Sequence, residues 1–196
     1  MAIRGGTLTH FVDPFIFQSL PAACTVDAVM ETVQAHLFNN LIAAGRHSVL
    51  LVYTLYSLQM DSDRSQDKFL LPLRDPEGLT HGFVGVGDLA LSGDNGDLFG
   101  CIQIVGVLLT PALIKEAFAQ VSPYAPRRFC LLTTAGVCNQ DREALRQTCD
   151  SIYRTSGCEV IVDSLMSTLN YGVRSLPEPT DFLAAYRQAL RENATE

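Results

Sequence analysis

The tetrapeptide Asp94-Asn95-Gly96-Asp97 lies between two β-rich runs, Val86 to Gly93 and Leu98 to Val107. Asn-Gly is the favoured pair for a two-residue type I′ turn, whose central positions both need positive φ, so the sequence predicts a tight hairpin. The turn sets the register. Counting outward from a loop of Asn95 and Gly96, Asp94 faces Asp97, Leu89 faces Ile102 and Asp88 faces Gln103. Facing residues share one side of the sheet with Cβ atoms about 5 Å apart, and Val105 falls two residues further along that side.

The flanking sequence predicts helices on both sides of this hairpin. Thr25 caps a helix with Val26, Val29, Met30, Val33, Leu37, Leu41 and Ala44 at helical spacing, and Gly45 stops it. Ser48 to Met60 reads as a second helix, apolar on nearly every face and suited to packing on a sheet. After the polar stretch 61–67 comes a short strand, Phe69 to Leu73, then the hairpin. Thr110-Pro111 opens a crossover helix whose buried stripe is Ile114, Ala117, Phe118 and Val121. Arg128 to Thr133 is a buried strand. A helix following Asn139 ends at Gly157, Glu159 to Val162 is a strand, and Thr180 caps a last helix. The expected fold class is α/β: a central mixed sheet, with a three-stranded meander, a crossover helix and further strands, flanked by helices.

The chain has 196 residues, 47% hydrophobic and 18% charged, too apolar for intrinsic disorder and of a size for one domain. Residues 1–196 read as a single unit: a helical part at about 25–60, a sheet core at about 68–163 and a helix at about 180–192. The net charge of −7 argues against a broad basic surface for nucleic acid, although a local groove stays open. The acidity is concentrated in residues 61–100. The longest apolar run, Val49 to Leu58, is too short to span a bilayer, so no membrane association is expected. Met1 to Gly6 lacks the apolar core of a signal peptide. A reducing cytoplasm is the expectation, with Cys24, Cys101, Cys130, Cys138, Cys149 and Cys158 as thiols; no CxxC pair or zinc spacing is present.

A helix, a three-stranded meander, a crossover helix and a fourth strand also form the common core of the PD-(D/E)XK, or restriction-endonuclease-like, superfamily. Gly87-Asp88 resembles its aspartate element, and Gln103-Ile104-Val105 stands where the (D/E)-x-K triplet belongs. The text from Arg46-His47-Ser48 through Phe182-Leu183-Ala184-Ala185-Tyr186 resembles SacI-type restriction enzymes. Active members hold Mg²⁺ on two carboxylates and use the lysine to orient water or stabilise charge. Here Gln103 offers a neutral oxygen and Val105 an aliphatic side chain, so both are vestigial positions beside Asp88.

The resemblance therefore implies a degenerate pseudo-nuclease in a restriction or defence system. It would recognise double-stranded DNA or scaffold a partner protein, such as an active subunit, in a homo- or hetero-oligomer. An active Mg²⁺-dependent deoxyribonuclease would need its carboxylate ligands and lysine replaced by migrated groups, for which Glu31, Lys68, Lys115 and Glu116 are candidates, since Asp94 and Asp97 belong to the turn. A third reading is an interaction module whose acidic region meets a basic partner.

Candidate contacts to nucleic acid or a partner are Arg46, Arg127, Arg128, Arg142 and Arg146; the plainer reading of Arg46 is that it covers a helix end, and of the others that they form a solvated face. Asp88 also reads as a strand-end acid, Gln103 as an outward strand residue and Val105 as core. His10, His36, His47 and His81 have no HxH or HxxxH spacing and read as structural or solvent-facing. Gly82, Gly85 and Gly87 are in the wrong order and place for a dinucleotide loop. Thr133-Thr134-Ala135-Gly136 reads as a loop at the rim of the sheet.

Overall fold

In a computed structural model, the structure describes residues 25–39, 44–60, 68–71, 73, 87–94, 96–135 and 141–193. The elements are α1 (Val26–Asn39), α2 (Ala44–Met60), β1 (Lys68–Leu70), β2 (Leu89–Gly93), β3 (Leu98–Val105), α3 (Pro111–Val121), β4 (Arg128–Thr133), α4 (Arg142–Ser156), β5 (Glu159–Ser164), α5 (Leu165–Arg174) and α6 (Pro179–Glu192). Among the described residues, five strands lie in chain order, β1-β2-β3-β4-β5. The first three form an antiparallel meander, and β4 and β5 join in parallel through the α3 and α4 crossovers. The expected mixed sheet with helices on both faces is present.

Alternation along the strands divides the interior in two. On one face Leu89, Leu91, Ile102, Cys130 and Leu132 pack with α1, α2, α5 and α6. On the other, Cys101, Phe129 and Leu131 pack with Ile114, Ala117 and Val121 of α3 and Leu145 and Ile152 of α4. Burying an aliphatic side chain of this size stabilises by about 1.5–3 kcal/mol, so the two cores hold the sheet from both sides. The start of α3 is as expected: Pro111 takes the first position and the Thr110 hydroxyl accepts the Leu113 N–H at 3.2 Å. Gly157 ends α4 in the left-handed region at φ 75°.

Several boundaries differ from expectation. Gly45 lies within the first turn of α2, which begins before Ser48. Its flanking residues at 40–43, with the expected helical position Leu41, lie outside the described residues, as do Val86 and Asn139. β5 extends to Ser164 and passes directly into α5, a helix the sequence reading lacked. The Ser164 hydroxyl accepts the Ser167 N–H at 3.0 Å, so one residue ends the strand and caps the helix. α6 starts with Pro179, one residue before the expected Thr180 cap.

The hairpin is also corrected. Gly93 N–H donates to Asp97 C=O at 2.9 Å and Gly96 N–H to Gly93 C=O at 3.0 Å, so the loop closed by the Gly93–Asp97 bond has three residues, not two. Gly96 at φ 74° fits the αL position that ends such a loop. Ser92 then faces Leu98, but Leu91 faces Gly100, leaving Phe99 as an extra residue on β3. That bulge restores the expected pairing beyond it, and Leu89 faces Ile102.

Candidate functional site

Gly87 and Asp88 form the entrance to β2. Gly87 has φ +62°, and a Cβ there would lie 2.6 Å from the Ile102 carbonyl oxygen. Only glycine lets the chain approach β3 this closely. The next residue exploits the approach twice: Asp88 N–H donates to Ile102 C=O at 2.7 Å, and Asp88 Oδ2 accepts the Ile104 N–H at 2.6 Å. Asp88 is thus bonded to the β3 residues on either side of Gln103, while the strand pairing itself begins with Leu89 opposite Ile102.

The carboxylate is directed at the β3 backbone and takes the role of a ladder acceptor. Removing it orphans a part-buried N–H. Asp88→Ala is accordingly expected to lower stability by about 1.5–3 kcal/mol, and Asp88→Asn, which keeps an acceptor oxygen, by less than about 1 kcal/mol; urea midpoints measure both.

Gln103 and Val105 are half-buried on the α3/α4 side of the sheet. They pair with Leu131 and Thr133 of β4. Gln103 Oε1 is shut off from solvent and has no hydrogen-bond donor among the described residues. Thr133 is fully buried; its hydroxyl donates to Val107 C=O at 2.6 Å and accepts the Ala135 N–H at 3.0 Å. Thr133 therefore ties the loop after β3 to the end of β4, while Gly136 lies outside the described residues.

This donor set does not fit a catalytic Mg²⁺. A hard dication takes six oxygens, usually including more than one carboxylate, whereas here one carboxylate binds backbone and its neighbour is a neutral amide. Among the described residues no group of three or more His, Cys, Asp or Glu could hold a metal ion. The groups considered for relocation sit elsewhere. Glu31 is on α1, across the sheet; Lys115 and Glu116 are on the solvent side of α3; Lys68 Nζ lies 4.3 Å from the Phe99 ring centre. Asp94 and Asp97 are exposed at the far end of the hairpin.

The arginines do not form one basic patch. Arg128 pairs with Glu159 at 2.6 Å, and Arg146 pairs with Glu143 at 2.7 Å and Asp150 at 3.0 Å. The Arg146 guanidinium holds the Glu143 carboxyl down to about 2. Arg46 donates to Asn193 C=O at 2.6 Å, on the opposite helical layer. Arg127 and Arg142 are exposed and make no ion pair among the described residues. Arg142 opens α4 at the carboxyl end of the parallel strands, the end that holds Val105; Arg127 and Arg128 are at the opposite end.

No protein-family model matches the chain, and no curated protein matches it. The chemistry must be read from the residues themselves.

Burial holds the Cys101 thiol up at about 12 and those of Cys130 and Cys158 at about 11, so these are packing groups and not nucleophiles at neutral pH. A feature absent from the sequence reading is a buried histidine pair: His36 on α1 and His47 on α2 have ring centres 4.6 Å apart, with the Tyr186 ring of α6 5.7 Å from His36. No motif spacing signals it, because the pair forms only when two helices pack. Among the described residues no helix is long and apolar enough to cross a membrane.

Proposed function

We propose that the chain is a restriction-endonuclease-like pseudo-nuclease, which recognises DNA or scaffolds a partner such as an active subunit. The observation that carries the reading is the closed-off Gln103 oxygen on β3, between the two residues, Ile102 and Ile104, that Asp88 bonds. An orphaned buried acceptor costs about 1–3 kcal/mol, and an aliphatic residue would serve the strand better. A site that once held a metal carboxylate explains a polar side chain at that point. The five-stranded mixed sheet with helices on both faces supports the reading. Val105, where a lysine would stand, completes the loss of catalytic groups.

The test restores the missing groups. Gln103→Glu with Val105→Lys is expected to create a site whose occupancy by Mg²⁺ or Mn²⁺ raises Tm above that in chelator, while the unaltered protein shows no such rise. A double variant that folds and ignores both metals would sink the vestigial-site reading. Incubation with DNA and either metal should leave the substrate intact; cleavage that disappears in Asp88→Asn would establish an active nuclease instead. For a role in DNA recognition, retention on duplex DNA should weaken with salt and drop in Arg142→Ala.

A further inference from the structure

His36 and His47 are 1% and 5% exposed, and their rings meet in the helical layer where α1, α2 and α6 converge. His47 Nδ1 has no hydrogen-bond partner among the described residues. Among the described residues no carboxylate is buried beside His47. From α2 there is Arg46, a like charge held against the end of α6 by its bond to Asn193 C=O. From α6 there is the Tyr186 phenol, kept neutral by burial; its Asp181, Arg191 and Glu192 are exposed and Arg187 is half-buried. From α1, Asp27 and Glu31 are exposed, and α5 turns Leu165, Leu169, Gly172 and Val173 inward with Tyr171 and Arg174 outward.

α1 packs mainly on α5, α2 and α6 rather than on the sheet, and its inward groups are Val29, Met30, Val33 and His36. We propose that His47, packed against His36, is an acid-sensitive latch: its protonation releases α1 from α2, α5 and α6 while the sheet stays folded. An imidazolium in this setting is desolvated and repelled by its partner and by Arg46, whereas in the released state water solvates it.

Burial, then His36, then Arg46 lower His47 from its ordinary 6.5 to about 4. The sign follows: the released state binds more protons, so the latch is closed above pH 6.5 and weakens as pH falls toward 4. For His47 alone, proton linkage between those values favours release by about 20-fold on going from pH 7 to pH 5.

Native-state hydrogen exchange of the whole chain tests this. After correction for the intrinsic pH dependence of exchange, protection of the Val33 and Leu37 amides should fall about 20-fold between pH 7 and pH 5, with Leu131 and Leu132 of β4 unchanged. His36→Phe/His47→Phe should abolish the fall. His47→Gln, which keeps a polar group but removes one proton site, should lessen it if the double variant does not fold. Constant α1 protection in the unaltered protein, loss of β4 protection in step with α1, or an undiminished fall in His47→Gln would each overturn the latch.

Discussion

Replacing Gly87 with alanine is expected to destabilise the protein by about 3–5 kcal/mol. Left-handed backbone costs an alanine about 1–2 kcal/mol before any contact is considered. The added methyl would also stand 2.6 Å from the Ile102 carbonyl oxygen, and that oxygen belongs to a strand paired on both sides. β3 cannot retreat without disturbing β4, so the entrance to β2 must move. Such a movement breaks the two bonds by which Asp88 holds Ile102 and Ile104. Against these losses, the lower unfolded-state entropy of alanine returns at most about 1 kcal/mol. A urea midpoint lowered with an unchanged m-value is the expected result; a change below about 1 kcal/mol would mean that the approach of the strands is not tight.

Gly172→Ala is the second large effect, although helix propensity alone favours the change by about 1 kcal/mol. A Cβ at Gly172 would lie 2.3 Å and 2.7 Å from the two Leu55 methyls and 2.9 Å from Leu55 Cγ. Leu55 is 1% exposed, so its side chain has to shift within the packed core. Overpacking of this kind costs about 1–3 kcal/mol and outweighs propensity, so α5 is pushed off α2. Leu55→Ala alone is expected to cost about 2–5 kcal/mol through its cavity. Introduced together, the two changes should be cheaper than their sum by 1 kcal/mol or more, because the new methyl fills vacated volume. Additivity within about 0.5 kcal/mol in a double-mutant cycle would refute the contact. Gly45→Ala is the control: nothing lies within 4 Å of that Cβ, and stability should hold or rise slightly.

The opposition of Leu89 and Ile102 was legible in the sequence, but through two departures that compensate. The loop is one residue longer than an Asn-Gly turn requires, and Phe99 is one residue extra on β3. Glycine serves both loop types, and a half-buried phenylalanine carries no mark of a bulge, so neither departure was visible. The turn chemistry at Thr110-Pro111 and Gly157 was read correctly because local residues satisfy local backbone groups there. α5 escaped because its cap, Ser164, is also the last residue of β5, leaving no turn residues to punctuate the join. Gly45 read as a stop because glycine's permissiveness at helix ends is indifferent to which end it marks. The His36–His47 pair and the neutralisation of Arg128 by Glu159 depend on contacts between elements, which no local pattern encodes. Neutralisation of Arg146, by contrast, was present in the spacing of Glu143 and Asp150 along α4.

The agreement between strand order and chain order bears on how the molecule is made. Each strand adds to an edge left by the one before it, and none has to be inserted between two already in place. During synthesis the meander can form first, with β3 presenting the template on which β4, and then β5, zip up as their crossover helices emerge. No threading step and no waiting edge in the middle of the sheet slows this growth. The close approach at Gly87, which fixes β2 against β3, is therefore an early event, and a lesion there should retard refolding where one in α6 chiefly hastens unfolding.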